Sequence, residues 1–402
     1  MKGGGIMTEL LLKHVRLFGG LKTDILIRDG RIARIGACDS ATAIVEEGGG
    51  AIALPGLVEA HTHLDKSLWG MGWQAHQAGP SLEDRISTER RRRRELDIDP
   101  ARQSARLVAL ASSRGTTAIR SHVDVDTDQK LWCFEGVSST RERLRDVMDI
   151  EIVAFPQSGM MIRPGTLELM DEALANGADV VGGLDPCGID RDPKGQLDAV
   201  FHLAEKHGKP IDIHLHEPDE LGAFSLEMII ERTRALGMRG RVTVSHAFCL
   251  GMTDRARAAR LLEQLAREDI AIATTAPASC PVPAAAELRD AGIRLCAGSD
   301  GVRDNWGPYG NLDMLERAMH IGLRNNFRRD EELNYALQIC TQGGADVMGL
   351  RDYGLVEGAI ADIVLVDAET VAEAIVTCPP RKLVLKCGNP VARDGKALFE
   401  VE

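Results

Sequence analysis

The sequence predicts an α/β protein built on a (β/α)8 TIM barrel, with a small β-sandwich formed by both chain termini. Three observations predict it. Eight short apolar, β-branched runs alternate with helical stretches between residues 51 and 300. Histidines and carboxylates gather where those runs end. The two terminal segments read instead as short strands joined by Gly and Asp turns.

The N-terminal segment "LLLKHVRLFGGLKTDILIRDGRIARIGA" and the C-terminal "EGAIADIVLVDA" and "KLVLKCGNPVARDGKAL" supply the expected sandwich. Residues 1–55 and 351–402 are assigned to it, and 56–350 to the barrel. The barrel strands are expected at 51–63, 116–126, 149–157, 178–186, 210–217, 241–247, 270–277 and 293–300. Between them, apolar residues recur at three- and four-residue spacing with glycine at the exit. Leu167, Met170 and Leu174 precede Gly177, and Leu197, Val200, Phe201 and Ala204 precede Gly208. No internal repeat beyond the βα unit and no low-complexity linker interrupts the pattern.

Composition narrows the function. The chain has 402 residues, 44% of them hydrophobic, and a formal net charge of −12, which argues against nucleic acid or an anionic membrane as partner. A small molecule is expected. No apolar run approaches the roughly 18–20 residues of a membrane span. The start "MKGGGIMTELLLKHVRLFGG" lacks a long apolar stretch and a small-residue cleavage site, so a cytoplasmic location is expected. Nine cysteines without CxxC spacing read as small buried hydrophobes rather than a disulfide framework. The run Arg90–Arg94 has acidic neighbours, among them Glu89 and Glu95, and reads as a solvated helix laced with i,i+4 ion pairs.

Chemistry in such a barrel sits at the C-terminal strand ends. Strand 1 ends on His61 and His63, strand 2 on His122 and Asp124, and strand 3 on Gln157. Strand 4 ends on Asp185, strand 5 on His214, His216 and Glu217, strand 6 on His246 and strand 8 on Asp300. An HxH on an extended strand turns both imidazoles to one face, so two nitrogens can share one ion. His61, His63, His214 and Asp300 form an N and O set suited to one divalent metal ion, Zn or Fe, with room for water. His122 and His216 are read either as structural residues or as groups orienting a ligand.

"LPGLVEAHTH", "RSHVDVD", "VAFPQSG", "HLHE", "VTVSHA" and "GSD", in that order, resemble the amidohydrolase superfamily, in its cytosine deaminase-like branch. "HTHLDKS", "VGGLDP", "SHAFC" and "GSDGVRDNWGPYGN" lean toward the branch members that dealkylate triazines, whereas "HLHE" leans toward cytosine deaminase. The resemblance implies a single metal, because "VVGGLDP" carries no bridging lysine. It implies that Glu217 shuttles the proton, that His246 and Asp300 assist catalysis, and that Gln157 binds substrate. Gln157 offers an amide donor and acceptor to the N–C=O edge of a ring. Lys66 and Trp306 lie on loops after ligands; a cation for a ring carbonyl and an aromatic wall compete with an ordinary salt bridge and ordinary packing. Gly301 stands where cytosine deaminase has a second aspartate.

The expected function is deamination of an amino-substituted nitrogen heterocycle by metal-activated water, releasing ammonia. The alternatives are N-dealkylation of a triazine such as N-isopropylammelide, and a catalytically silent barrel serving as a binding subunit. The resemblance also implies a homo-oligomer.

Overall fold

The computed structural model describes residues 9–252 and 254–401. The first eight residues, part of the start read for a leader, lie outside that range. Eight parallel strands form the barrel: β1 (Leu57–Thr62), β2 (Thr116–Asp124), β3 (Asp149–Phe155), β4 (Val180–Leu184), β5 (Ile211–His214), β6 (Val242–Ser245), β7 (Ala271–Thr274) and β8 (Leu295–Ala297). Each pairs with its sequence neighbour. The two edges meet at the C-terminal end, where Thr62 bridges Asp300. The Asp300 amide donates to the His61 carbonyl at 2.8 Å, so closure itself brings strand 1 and strand 8 chemistry together. Most strand residues are buried on both faces, as helices outside and packed side chains inside demand.

The helices start where short polar side chains cap them. Ser81 accepts from the Asp84 amide at the start of α1 (Leu82–Glu95), and Asp99 and Asp192 cap helices that open on Pro100 and Pro193. Gly208 closes the helix Pro193–His207 at φ 65°, a conformation that favours glycine. No helix among the described residues is long and apolar enough to cross a membrane.

The first expected strand, 51–63, is two strands in two sheets. Ile52–Pro55 pairs with Ile363–Val366 in the terminal sheet, and β1 begins after Gly56. A side chain at Gly56 would meet the Thr117 hydroxyl at 2.1 Å, so the crossing between sheets needs glycine. The terminal strands form the expected small β unit: nine strands from both ends of the chain lie in one hydrogen-bonded sheet, separate from the barrel's, around a core of their own. Its alternation serves two cores. Ile52, Leu54, Val364, Val366 and Val384 face the barrel, while Ala51, Ala53, Ile363, Leu365, Leu383 and Leu385 join the sheet's own cluster.

Two surface expectations are corrected. Arg91–Glu95 is an exposed i,i+4 pair, but Arg92 and Arg93 are buried, Arg92 against Asn305 and Arg93 among the carboxylates of Asp65, Glu89 and Asp124. Cys133, Cys249, Cys296 and Cys340 are buried, whereas four other cysteines are half-buried and Cys387 is exposed; all nine are free.

Candidate active site

The ligand set converges. One ligand atom from each of His61, His63, His214 and Asp300 lies within 4.8 Å of all the others. Second contacts aim the rings. His63 Nδ1 bonds the His122 carbonyl at 3.0 Å, which frees Nε2 to point at Asp300 Oδ1, 3.2 Å away. His61 Nδ1 bonds Ser245 Oγ at 2.9 Å, and that hydroxyl donates to Asp212 at 2.6 Å. His214 stacks on Phe155 with centroids 4.2 Å apart. Glu59 ties β1 to the end of β8 by accepting from the His61 amide and from the amide and hydroxyl of Ser299.

His61 Nε2 and both ring nitrogens of His214 are buried without a hydrogen-bond partner. Such atoms are costly unless something outside the chain meets them, and a divalent cation fits this donor set. Burial holds His63 down to about 4 and His214 well below the ordinary histidine range, so these rings are neutral and ready to ligate. Burial raises the Asp300 carboxyl, but the rings of His61 and His63, 3.7 and 3.2 Å away, outweigh it and hold the group well below the ordinary carboxylate range. Two neighbouring groupings are already engaged: Asp212 takes Ser245 and Arg120, and Asp124 takes Lys66 and Arg93.

A cavity of about 860 Å³ opens beside the ligands, lined by Lys66, Arg85, Gln157, His216 and Trp306 among others. Lys66 Nζ donates to Gln157 Oε1 at 2.8 Å and to Asp124 Oδ1 at 3.0 Å. Lysine only donates, so Gln157 must turn its oxygen to Lys66; its Nε2 is left without a partner. Gln157 thus faces the cavity as a donor alone, not as the donor and acceptor pair expected from its amide. Lys66 is buried, and Asp124, Glu89 and Asp65 hold it above the ordinary lysine range against the opposing effect of burial. The ion pair and the cavity position, which competed as readings of Lys66, are both present. Trp306 is half-buried, its ring centroid 5.7 Å from Lys66 Nζ.

The residues after β5 divide differently from expectation. His216 is on the cavity wall; its backbone amide and Nδ1 bond the Asp185 carboxylate at 2.6 and 2.8 Å. Burial lowers its pKa, but Asp185 more than compensates and the ring is raised above its ordinary value. Glu217 does not line the cavity. Its Oε1 accepts from the Cys187 and Gly188 amides, both at 2.7 Å, and its Oε2 accepts from the Ser225 hydroxyl. The alternation after β5 carries the signal: His214 and His216 are two apart, so the residue between them and Glu217 point elsewhere.

His246 packs against His61, His214 and His216 at centroid distances of 4.8, 5.0 and 4.3 Å, with both ring nitrogens unpartnered. Gly301 has a steric reason. A side chain there would come within 2.0 Å of Asp304 Oδ2, while Asp304 Oδ1 accepts from the Trp306 and Gly307 amides. The sequence did not single out Glu59 or Asp212 and read Glu89 and Arg93 as part of a solvated run, because nothing in their local pattern marks residues whose partners are distant in the chain.

The amidohydrolase family model matches residues 99–396. N-isopropylammelide isopropyl amidohydrolase of Pseudomonas sp. strain ADP is 32% identical, over 92% of this chain and 94% of that protein. The solved structure of N-isopropylammelide isopropylaminohydrolase from Burkholderia multivorans is 50% identical, with a TM-score of 0.94, covering 98% of this chain and all of that one. That of 5-methylcytosine deaminase from Klebsiella pneumoniae is 28% identical with a TM-score of 0.84, over 98% of each chain. With the ligand cluster intact at the mouth of a parallel barrel, the silent-barrel alternative falls away: this chain belongs to the amidohydrolase family and is a hydrolase of carbon–nitrogen bonds.

Proposed function

We propose that the protein is an aminohydrolase that cleaves the exocyclic carbon–nitrogen bond of an N-alkylamino, oxo-substituted nitrogen heterocycle of the N-isopropylammelide kind, releasing an alkylamine. The observation that carries this reading is the cavity wall. It offers two donors, Lys66 Nζ and Gln157 Nε2, beside one proton carrier, His216 on Asp185. An oxo-substituted edge answers those donors with acceptors, whereas an amino group there sets N–H against N–H and leaves buried donors unmet. Phe155, Leu184, Ala276 and Leu323 give the cavity an apolar lining suited to an alkyl substituent. The 50% identity to an enzyme of this class supports the same choice.

One divalent cation, zinc or iron, is assigned to His61, His63, His214 and Asp300, where it supplies Lewis-acid activation of water at neutral pH. Lys66 and Gln157 hold the ring through its oxygen, and Trp306 and Phe155 wall the slot. Asp300 takes a proton from the attacking water. Asp185 accepts only, so His216 keeps its proton on Nδ1 and gives its Nε2 proton to the ring nitrogen; Asp300 passes the proton it took from water to the departing amine, and the hydroxyl's remaining proton, lost as the carbonyl forms, restores His216. His246 offers a ring N–H to the oxygen that gains charge. Glu217, the expected shuttle, braces the turn at Cys187 and Gly188 instead.

Deamination of a free-amino ring is the second reading, favoured by the likeness to 5-methylcytosine deaminase. The test is amine release from N-isopropylammelide, ammelide, cytosine, 5-methylcytosine and creatinine by the metal-loaded protein. Isopropylamine is expected. Ammonia from the free-amino rings with no isopropylamine establishes the second reading, and silence on every ring overturns both.

A further inference from the structure

The wall that binds substrate is braced from outside by one buried carboxylate. Glu89 sits on the buried face of α1, in the connection between β1 and β2, and it does not line the cavity. Its Oε2 accepts from the Trp306 indole Nε1–H, and its Oε1 lies 3.6 Å from Lys66 Nζ and accepts from Arg93 Nη2 at 2.9 Å. Lys66 comes from the loop after β1 and Trp306 from the loop after β8, so this carboxylate joins the two loops that carry the cavity's cation and its indole.

The helix docks in an unusual way. Its buried face carries Ile86, Glu89, Arg92 and Arg93, three of them charged. Arg92 Nε donates to Asn305 Oδ1 at 3.1 Å, pinning the same loop one residue before Trp306. Arg93 reaches Asp124 at 2.9 Å, which itself holds Lys66. Apolar packing slides, whereas a carboxylate shared by an indole N–H and two cations fixes direction.

We infer that Glu89 is a positioning residue for substrate recognition: it fixes the spacing between Lys66 and Trp306, and through it the slot that grips the heterocycle. This deepens the proposed function and rests on it. Glu89 touches no reacting atom, so its loss acts on binding before chemistry.

The test is Glu89→Gln, with Glu89→Asp, Trp306→Phe and the double variant Glu89→Gln/Trp306→Phe. With N-isopropylammelide as substrate, Glu89→Gln is expected to raise KM about tenfold or more with kcat within about threefold, and Glu89→Asp to recover part of the loss. The double variant is expected to be little worse than Trp306→Phe alone, since both break one unit. A kcat loss with unchanged KM, or full additivity, overturns the inference. Tryptophan emission provides an arm independent of turnover. Glu89→Gln should shift it in the wild-type background and not in Trp306→Phe; no shift in either overturns the inference even if the protein turns over none of the rings tested. If Glu89→Gln does not fold, Glu89→Asp carries both readouts, and unchanged KM and emission there overturn it equally.

Discussion

Two charged clusters lie side by side at the mouth of the barrel, and they are built on opposite terms. In the first, His61, His63, His214 and Asp300 converge while His61 Nε2 and both nitrogens of His214 stay unpartnered. In the second, Lys66, Glu89, Arg93 and Asp124 bind one another at 2.9–3.6 Å and Gln157 and Trp306 complete them. Both are buried apart from the partly exposed Asp300, and both are costly to desolvate. The unsatisfied cluster waits for a partner that the chain does not supply; the satisfied one serves to hold still. Chemistry is thus placed on a part with several open valences, and recognition on a braced part in which Gln157 Nε2 is left open.

Breaking the first cluster has the largest expected effect. Asp300→Ala and His61→Ala should lose the bound metal and at least about a thousandfold in kcat/KM, and chelation of the wild type should do the same reversibly. Metal analysis alongside turnover checks this; a chelated protein with full activity breaks the distinction between the clusters. Removal of metal should also lower Tm, because the ion binds only the folded state.

Breaking the second cluster should cost stability first. Arg93→Met leaves Asp65, Glu89 and Asp124 facing Lys66 alone, and removing one partner from a buried ion network costs about 3–5 kcal/mol. Denaturant unfolding measures it, and a loss below about 1 kcal/mol sinks the account of this cluster as a rigid brace. Between the clusters, His216→Asn should lower kcat about a hundredfold or more with metal retained. Glu217→Gln should lower it far less and mainly reduce Tm, because its carboxylate serves backbone amides. If the two variants exchange those effects, Glu217 is the proton carrier after all.

Legibility in the sequence followed the same divide. Period-two alternation and strand order made the barrel and His61, His63, His214 and Asp300 readable, since each is fixed by its own strand end. The break at Gly56 was hidden, because a continuous apolar run looks alike whether it stays in one sheet or passes to another. Glu89 and Arg93 were hidden for a different reason. In a run of charges, local pattern cannot distinguish a solvated side chain from one buried against Asp65 and Asp124. The donor-only face of Gln157 was equally invisible, since it depends on Lys66 having taken its oxygen.

An exposed carboxylate sharpens the comparison from the other side. Glu332 lies in the first turn of the helix Asp330–Ile339, where Oε2 accepts from the Arg328 and Arg329 amides at 2.7 and 3.0 Å. Those backbone bonds, with the Arg329 guanidinium, lower its pKa from 4.5 to about 2. A group with a depressed folded pKa stabilises above its unfolded value, and that contribution fades as pH falls through about 4.5 toward 2. Water screens this site as it cannot screen Glu89, so the effect is small. Glu332→Gln should lower Tm by on the order of a degree at pH 7. The gap between variant and wild type should close as the pH is lowered from 5 toward 3, measured by thermal melts in matched salt. A gap that stays constant over that range means that the carboxylate charge is not what caps the helix. A gap as large as that of Arg93→Met would erase the difference in strength between solvated and buried charge on which the comparison rests.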